Sequence, residues 1–383
     1  MKKSILKALV LLLTTLLLAG CWDYTEIESL GFVFGAGVEQ VEPDFVVYLE
    51  MIDSVGGGQE TQFTPKVLTS KGRGFSSAGR ALSNVAGTFV FWPHTSVFLV
   101  SEEVARQGAL PAIEYILRNR RARSTIYILV TKDCTVEEVF KSKPLLANSV
   151  SDHLDGIFAL QPILAKFYPV QIWEFVGNLT ARGISVTAPT VQLVHESGEL
   201  VPIVEGTAVF KEDRMVGWLD AEESQLFCIL KGESQRPYVV MDTKTKEGIF
   251  PITYEMIGSN AEIKPTTKDG EPTIDISVEL RFNVTEIGDA QINFQDPKEV
   301  AAIEDQVAHT FNRRIKDFFR KLQVEYNSDI LGFGRLLRRK EPQIWRRYED
   351  VWDSYYPQLA INVEVKVFIE LTGLFSKSIV VRD

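Results

Sequence analysis

The sequence is poor in the residues that most enzymes and carriers depend on. Its 383 residues include only three cysteines and four histidines. The histidines, His94, His153, His195 and His309, stand far apart, and none falls in an H-x-x-x-H or H-E-x-x-H pattern, so no zinc site is expected. Cys21, Cys134 and Cys228 form no C-x-x-C pair, which removes the usual thiol redox and metal motifs. Gly35/Gly37 and Gly72/Gly74 do not continue as G-x-G-x-x-G, and no G-K-[ST] occurs, so phosphate-cradling loops are absent by motif. The stretch Gly74 to Gly79 misses the G-x-S-x-G nucleophile elbow by one residue. Beyond the N-terminus no apolar run approaches the roughly 20 residues of a membrane-spanning helix. Basic charge is outnumbered overall: 41 Lys and Arg against 51 Asp and Glu give a formal net charge of −10, which disfavours a nucleic-acid binder because an acidic surface repels phosphates. No cofactor is expected.

The N-terminus carries the most specific signal. Three lysines within Met1 to Lys7 precede an apolar stretch from Ala8 to Ala19, the n-region and h-region of an export signal. Leu18-Ala19-Gly20-Cys21 then resembles the bacterial lipobox, in which the cysteine thiol takes a diacylglyceryl group and the chain is cut before it. An uncleaved helical anchor and a plain secretory signal are the alternatives, and the short apolar stretch argues against the first. Two long acyl chains, at about 0.8 kcal/mol per buried methylene, contribute on the order of 20 kcal/mol gross. Cleavage removes Lys2, Lys3 and Lys7 and takes the net charge from −10 to −13.

At 45% hydrophobic and 24% charged residues the remainder is globular in composition and too long for one ordinary core. Cys134 and Cys228 are expected as free thiols, with a single disulfide as the alternative. Leu30 to Val38 and Phe45 to Ile52 read as strands, Gly56-Gly57-Gly58 as a loop, and Ser76 to Val85 as a helix. Thr88 to Phe91 and Thr95 to Val100 are strand material broken by Trp92-Pro93. Ser101 is placed to cap a helix ending at Gly108, Pro111 begins another that runs to about Arg118, and Ser124 to Val130 is a strand. Thr135 to Glu138 has the form of a capping box.

Past Val201 strands dominate. Gly206 to Phe210 and Met215 to Leu219 read as a hairpin, and Ile249 to Ile257 and Thr273 to Ile287 as longer strands, with 265–272 as a polar turn region. Asp296-Pro297-Lys298-Glu299 opens a long helix whose apolar face is Val300, Ile303, Val307, Phe311, Ile315, Phe318 and Leu322. Ile361 to Leu371 alternates strictly, so a C-terminal antiparallel sheet packed on that helix is expected.

One tract departs from the acidic whole. Between Asn312 and Arg347, the bases Arg313, Arg314, Lys316, Arg320, Lys321, Arg335, Arg338, Arg339, Lys340, Arg346 and Arg347 outnumber Asp317, Glu325, Asp329 and Glu341 by seven. The plain reading is the solvated face of a helix and the segment after it. The sharper one is a docking face, centred on Arg338, Arg339, Lys340, Arg346 and Arg347, for anionic lipid headgroups or for an acidic loop of a membrane partner.

Four separated patterns resemble one family, the C subunits of bacterial spore germinant receptors. They are Cys21-Trp22-Asp23 with Glu26-Ile27; His94 followed by Ser101-Glu102-Glu103, Gly108, Arg118 and Arg123; Gly206 to Lys211 with Asp213, Gly217 and Leu219; and Asp329 to Gly334 followed by Trp345, Trp352 and the strand from Ile361. The resemblance spans nearly the whole mature chain, and it is their order that makes it specific. Cys134, Cys228 and most of the basic tract have no counterpart in the pattern.

The resemblance implies a non-enzymatic, elongated, three-domain α+β lipoprotein with mixed and antiparallel sheets, anchored by Cys21 to the outer leaflet of the spore inner membrane after general secretory export. Its partners would be membrane lipid and the integral-membrane A and B receptor subunits, with no nucleic acid, and its role nutrient-triggered germination. On this reading residues 1–20 are the removed signal, 21–198 an N-terminal α+β domain, 199–247 a small β-rich middle domain and 248–383 a sheet-plus-helix domain. His94 is expected to be a packed histidine, Gly206 and Gly217 turn residues, and Trp345 and Trp352 core aromatics. A lipid-anchored solute-binding protein and a tethered hydrolase are the competing readings. A bilobal binding protein would alternate strand and helix in both halves, which this sequence does not.

Overall fold

The computed structural model describes residues 3–8, 29–55, 62–119 and 121–371. Among these the chain is α+β, with nine strands in one mixed sheet and four in a second. The first sheet comprises β1 (Leu30–Val41), β2 (Asp44–Val55), β3 (Gln62–Gly72), β4 (Phe89–Phe91), β5 (Val97–Val100), β6 (Tyr127–Thr131), β7 (Thr187–Glu196), β8 (Glu199–Lys211) and β9 (Arg214–Leu219). Its order is β3-β2-β1-β5-β6-β7-β8-β9, with β4 beside the start of β1. The inner strands β1, β5, β6 and β7 run parallel, and antiparallel hairpins close both edges.

Parallel strands need covering on both faces, and β5 shows it, with all four of its residues buried. Alternate side chains go to opposite cores. Phe98, Val100, Ile128 and Val130 join Leu82 of α1 (Phe75–Ala86), Val104 of α2 (Glu102–Gln107) and Ile113 of α3 (Leu110–Leu117). On the other face Val97, Leu99 and Leu129 pack with Val136 and Phe140 of α4 (Val136–Lys141) and Leu154 of α5 (Val150–Leu164). Local signals set several helix starts: Ser101 accepts from the Val104 N–H, and Thr135 and Glu138 form the reciprocal capping box.

The sequence pattern did not mark β3, β7, α5, α6 (Ile172–Leu179) or α7 (Ala221–Lys231). Strands β8 and β9 lie within the segment 199–247, yet they are hydrogen-bonded into the first sheet. The next strand, β10 (Tyr238–Lys244), belongs to the second sheet.

The second sheet has the order β10-β11-β12-β13, with β11 (Ile249–Lys268), β12 (Glu271–Glu286) and β13 (Ala360–Leu371). Residues 265–272, expected as a polar turn region, are instead paired strand almost throughout, with Pro265 opposite Ile274 and Lys268 opposite Glu271. The turn is only Asp269-Gly270, both at positive φ (52° and 83°), the two-residue geometry that suits a twisted hairpin. The sheet is antiparallel through β12, but β13 runs parallel to it. A hairpin cannot join parallel neighbours, and here a long helical crossover does so.

That crossover begins with α8 (Pro297–Arg320), capped by Asp296, whose side chain accepts from the Lys298 N–H. Ile303, Val307, Phe311, Ile315 and Phe318 face the sheet, as their spacing requires, and Phe311 stacks on Phe282 with centroids 5.8 Å apart. Fully burying such a side chain contributes roughly 1.5–3 kcal/mol. Polar ties fix the helix across the sheet: Asn312 donates to the Val363 carbonyl at 2.9 Å, and Gln306 exchanges two hydrogen bonds with Lys244. After a π-helical turn, Lys321–Glu325, come the short helices α9 (Phe333–Lys340), α10 (Pro342–Tyr348) and α11 (Trp352–Tyr355).

Candidate functional site

Cys21, the expected lipidation site, lies outside the described residues. The basic tract is resolved into two parts by the fold. On α8 and the turn after it, Arg314 pairs with Glu222 at 3.4 Å and Lys321 with Glu223 at 2.7 Å, so part of its charge is used against α7. Arg338, Arg339 and Lys340, in the last turn of α9, and Arg346 and Arg347 on α10 are all exposed. Arg347 donates to the Gly270 carbonyl at 3.3 Å and sits 5.6 Å from the Tyr348 ring centroid.

The α9–α10 unit is held by a buried carboxylate. Asp329 Oδ1 accepts from the N–H groups of Gly332 (2.8 Å) and Phe333 (2.9 Å), and Oδ2 accepts from the Gly334 N–H (2.9 Å) and Trp352 Nε1–H (3.2 Å). Three backbone donors at the start of α9 and one indole thus converge on one side chain that is 4% exposed. Burial pushes Asp329 up to about 6, and the four donors oppose a further rise, so it is ionised at neutral pH. Trp345 and Trp352, both buried, pack edge to face at 5.3 Å over Gly334, as core aromatics should.

The same corner meets the first sheet. The Ser185 N–H donates to the Asp329 carbonyl at 2.8 Å, the Arg335 N–H donates to the Gly183 carbonyl at 2.8 Å, and Ser328 Oγ donates to the Phe210 carbonyl at 2.6 Å. Gly183 (φ 74°) and Gly334 touch so closely that a Cβ on Gly334 would lie 2.6 Å from the Gly183 Cα. Tyr326 completes the contact by donating to the Trp218 carbonyl at 2.8 Å while accepting from the Trp218 N–H at 3.2 Å. Gly217, expected as a turn residue, instead makes room for the Tyr326 ring, which a Cβ would approach to 2.4 Å. Gly206 does use its freedom, at φ 92°. The Gly206–Leu219 and Asp329–Gly334 patterns, more than a hundred residues apart, are therefore two sides of one junction. Gly183 and Tyr326 were not singled out from sequence. Asp329 opened the fourth sequence pattern, but its part as acceptor for the first N–H groups of α9 left no mark there.

The remaining chemistry is structural. His94 sits among the rings of Phe32, Phe34 and Phe91, with centroids 5.4 to 6.0 Å away. Cys134 and Cys228 are free, and burial pushes their thiols up to about 11 and about 12, away from reactive thiolate character. Among the described residues no group of His, Cys, Asp and Glu could hold a metal, and no helix is long and apolar enough to cross a membrane. A cleft of about 220 Å³ at the junction is bounded by the ion pairs Arg182–Asp350 and Lys211–Asp353. Two others, of about 460 and 440 Å³, are edged by Lys321–Glu223 and Lys246–Glu299.

Comparison with known proteins agrees with this architecture. Residues 23–193 match the family model described as spore germination protein N-terminal domain, and residues 205–373 match spore germination B3/GerAC like, C-terminal. Curated relatives from Bacillus subtilis (strain 168) align end to end. Spore germination protein KC is 24% identical over 98% of this chain and 97% of its own length. Spore germination protein B3 is 24% identical over 98% and 100%, and spore germination protein A3 is 25% identical over 96% and 98%. The crystal structure of the GerBC protein shares the fold, with a TM-score of 0.59 and 19% identity, covering 91% of this chain and 99% of that one. With both halves of the chain matched in order by the two family models, this protein belongs to the spore germination family of germinant receptor C subunits.

Proposed function

We propose that this chain is the lipid-anchored C subunit of a nutrient germinant receptor, acting without chemistry of its own. It would sit on the outer leaflet of the spore inner membrane beside the integral-membrane A and B subunits and be needed for them to respond to nutrient. The observation that carries this reading is the start of the family match at residue 23, two residues after Cys21, with a lipobox directly ahead of it. The anchor therefore stands where the family match begins. The isolated histidines, the high thiol pKa values and the ion-paired edges of the clefts support a binding and assembly role over a catalytic one.

Cys21→Ser tests the reading. The expected outcome is loss of labelled palmitate from the chain, release from the spore membrane and loss of the germination response to nutrient. Retained membrane attachment and an unchanged response in that variant would overturn it.

A further inference from the structure

The sheet order puts several unrelated surface features at one end of the molecule. Strands β1, β5, β6 and β7 are parallel, with Gly35 beside Val97, Val97 beside Tyr127, and Val130 beside Thr190. Their starts therefore share an end of the sheet, and β1 begins five residues before Gly35, about 16 Å further out. There Leu30 pairs with Phe89, which is 64% exposed. The exposed Arg121 and Arg123 lie in the segment leading into β6. Trp173, 56% exposed at the start of α6, donates its backbone N–H to the Ser124 carbonyl three residues before Tyr127. Helix α6 then reaches Asn178, which accepts from Arg335 at 2.9 Å, and Arg335 also ties α9 to Gly183, four residues ahead of β7. The α9–α10 unit thus docks beside the same end.

Two arguments say what covers this end. Cys21 precedes Leu30 by nine residues, and nine residues span at most about 32 Å even when fully extended. That reach is no greater than the length of β7 itself, whose far end at Glu196 lies at the opposite side of the sheet. In addition, Arg121, Arg123, Arg338, Arg339, Lys340 and Arg346 form no ion pair among the described residues, although the protein as a whole is acidic. Unpaired bases and exposed aromatic rings toward one end of the molecule match a bilayer interface, where tryptophan favours the headgroup level and bases meet anionic lipid.

We propose that the end of the large sheet where β1 begins rests on an anionic lipid bilayer, with Phe89 and Trp173 at headgroup level and the unpaired bases of α9–α10 against lipid phosphates. This rests on the anchored reading and adds an orientation to it. The body stands upright on the membrane, and the β7–β8 turn points away.

The test uses the full lipidated chain in vesicles, with Cys134→Ser so that added cysteines take the label and the buried Cys228 does not. An environment-sensitive fluorophore is placed at Trp173→Cys or at Ser197→Cys, and a quencher is carried on lipid headgroups. In phosphatidylcholine–phosphatidylglycerol vesicles, quenching at 173 should exceed that at 197 several-fold. It should fall in high salt and in the Arg338→Glu/Arg339→Glu/Lys340→Glu variant. Equal quenching at the two positions, or none at 173, overturns the proposal. Flotation with pure phosphatidylcholine vesicles in high salt reads the anchor alone. If the chain floats there without preferential quenching at 173 in anionic vesicles, the orientation fails and the anchor stands. If it does not float there, the anchored reading fails whatever the probes show.

Discussion

Replacing Asp329 takes away the single acceptor on which four donors converge, three at the first turn of α9 and one on Trp352. The Gly332 N–H keeps a second, longer bond to the Asp329 backbone carbonyl at 3.3 Å, so Asp329→Ala orphans Phe333, Gly334 and the indole. A buried donor left without a partner costs about 1–3 kcal/mol, and partial relaxation of the helix end offsets some of the total. The expected loss is about 3–5 kcal/mol, in the range reserved for breaking a buried network. Asp329→Asn is the sharper probe because it keeps size and polarity. Its oxygen still serves two N–H groups, but its amide hydrogens face Gly334 N–H and Trp352 Nε1–H, donor against donor, and the expected loss is about 2–4 kcal/mol. Urea unfolding followed by tryptophan fluorescence reads the effect where it occurs, since Trp345 and Trp352 lie in the junction. The reasoning would be refuted by urea midpoints for both variants that coincide with the parent.

Other consequences are measurable in the same way. Burial holds Asp329 near 6 in the folded state, above the roughly 3.9 of an unfolded aspartate, so its proton-linked stability is full below about pH 4 and lost as pH rises through 6. The stability gap between the parent and Asp329→Asn should accordingly narrow from pH 4 to 6 and stay level above 7, and a constant gap would exclude the raised pKa. Gly334→Ala would push a methyl group to 2.6 Å from the Gly183 Cα and 2.8 Å from Trp345 and Trp352. It should loosen the α9–α10 unit by about 2 kcal/mol or more and speed amide hydrogen exchange at Arg335. Unaltered exchange would mean that the junction can absorb the methyl. Glu50, 1% exposed, accepts from the Val150 and Ser151 N–H groups and from Ser151 Oγ at the start of α5, and burial raises its pKa. Glu50→Gln leaves one oxygen for three donors and should cost about 1–3 kcal/mol, visible as faster exchange at Val150 and Ser151. Protection equal to the parent's would remove Glu50 as the cap of that helix.

What the sequence determined by itself is what depends on neighbours within a turn or two of chain. Ser101, Thr135 and Asp296 announce helices because a cap bonds a backbone N–H two or three residues away, and each does so here. The apolar face of α8 and the alternation in β13 were legible because burial of one face imposes its period on the chain. Cys21 and its lipobox are a linear address, complete without any fold.

Only the tertiary structure decided which strands adjoin, because backbone pairing leaves no local mark. It runs β13 parallel to β12, carries β8 and β9 into the large sheet, and turns 265–272 from expected loop into paired strand around Asp269-Gly270. It also decided what the charged residues do. Lys321 and Arg314 find Glu223 and Glu222 on a helix some ninety residues earlier, whereas Arg338 and Arg339 find none, a distinction invisible in a count of bases. The contact of Gly183 with Gly334, and of Gly217 with Tyr326, follows from how closely two parts of the chain approach. A glycine written in the sequence says that space is available, and only the fold says what fills it.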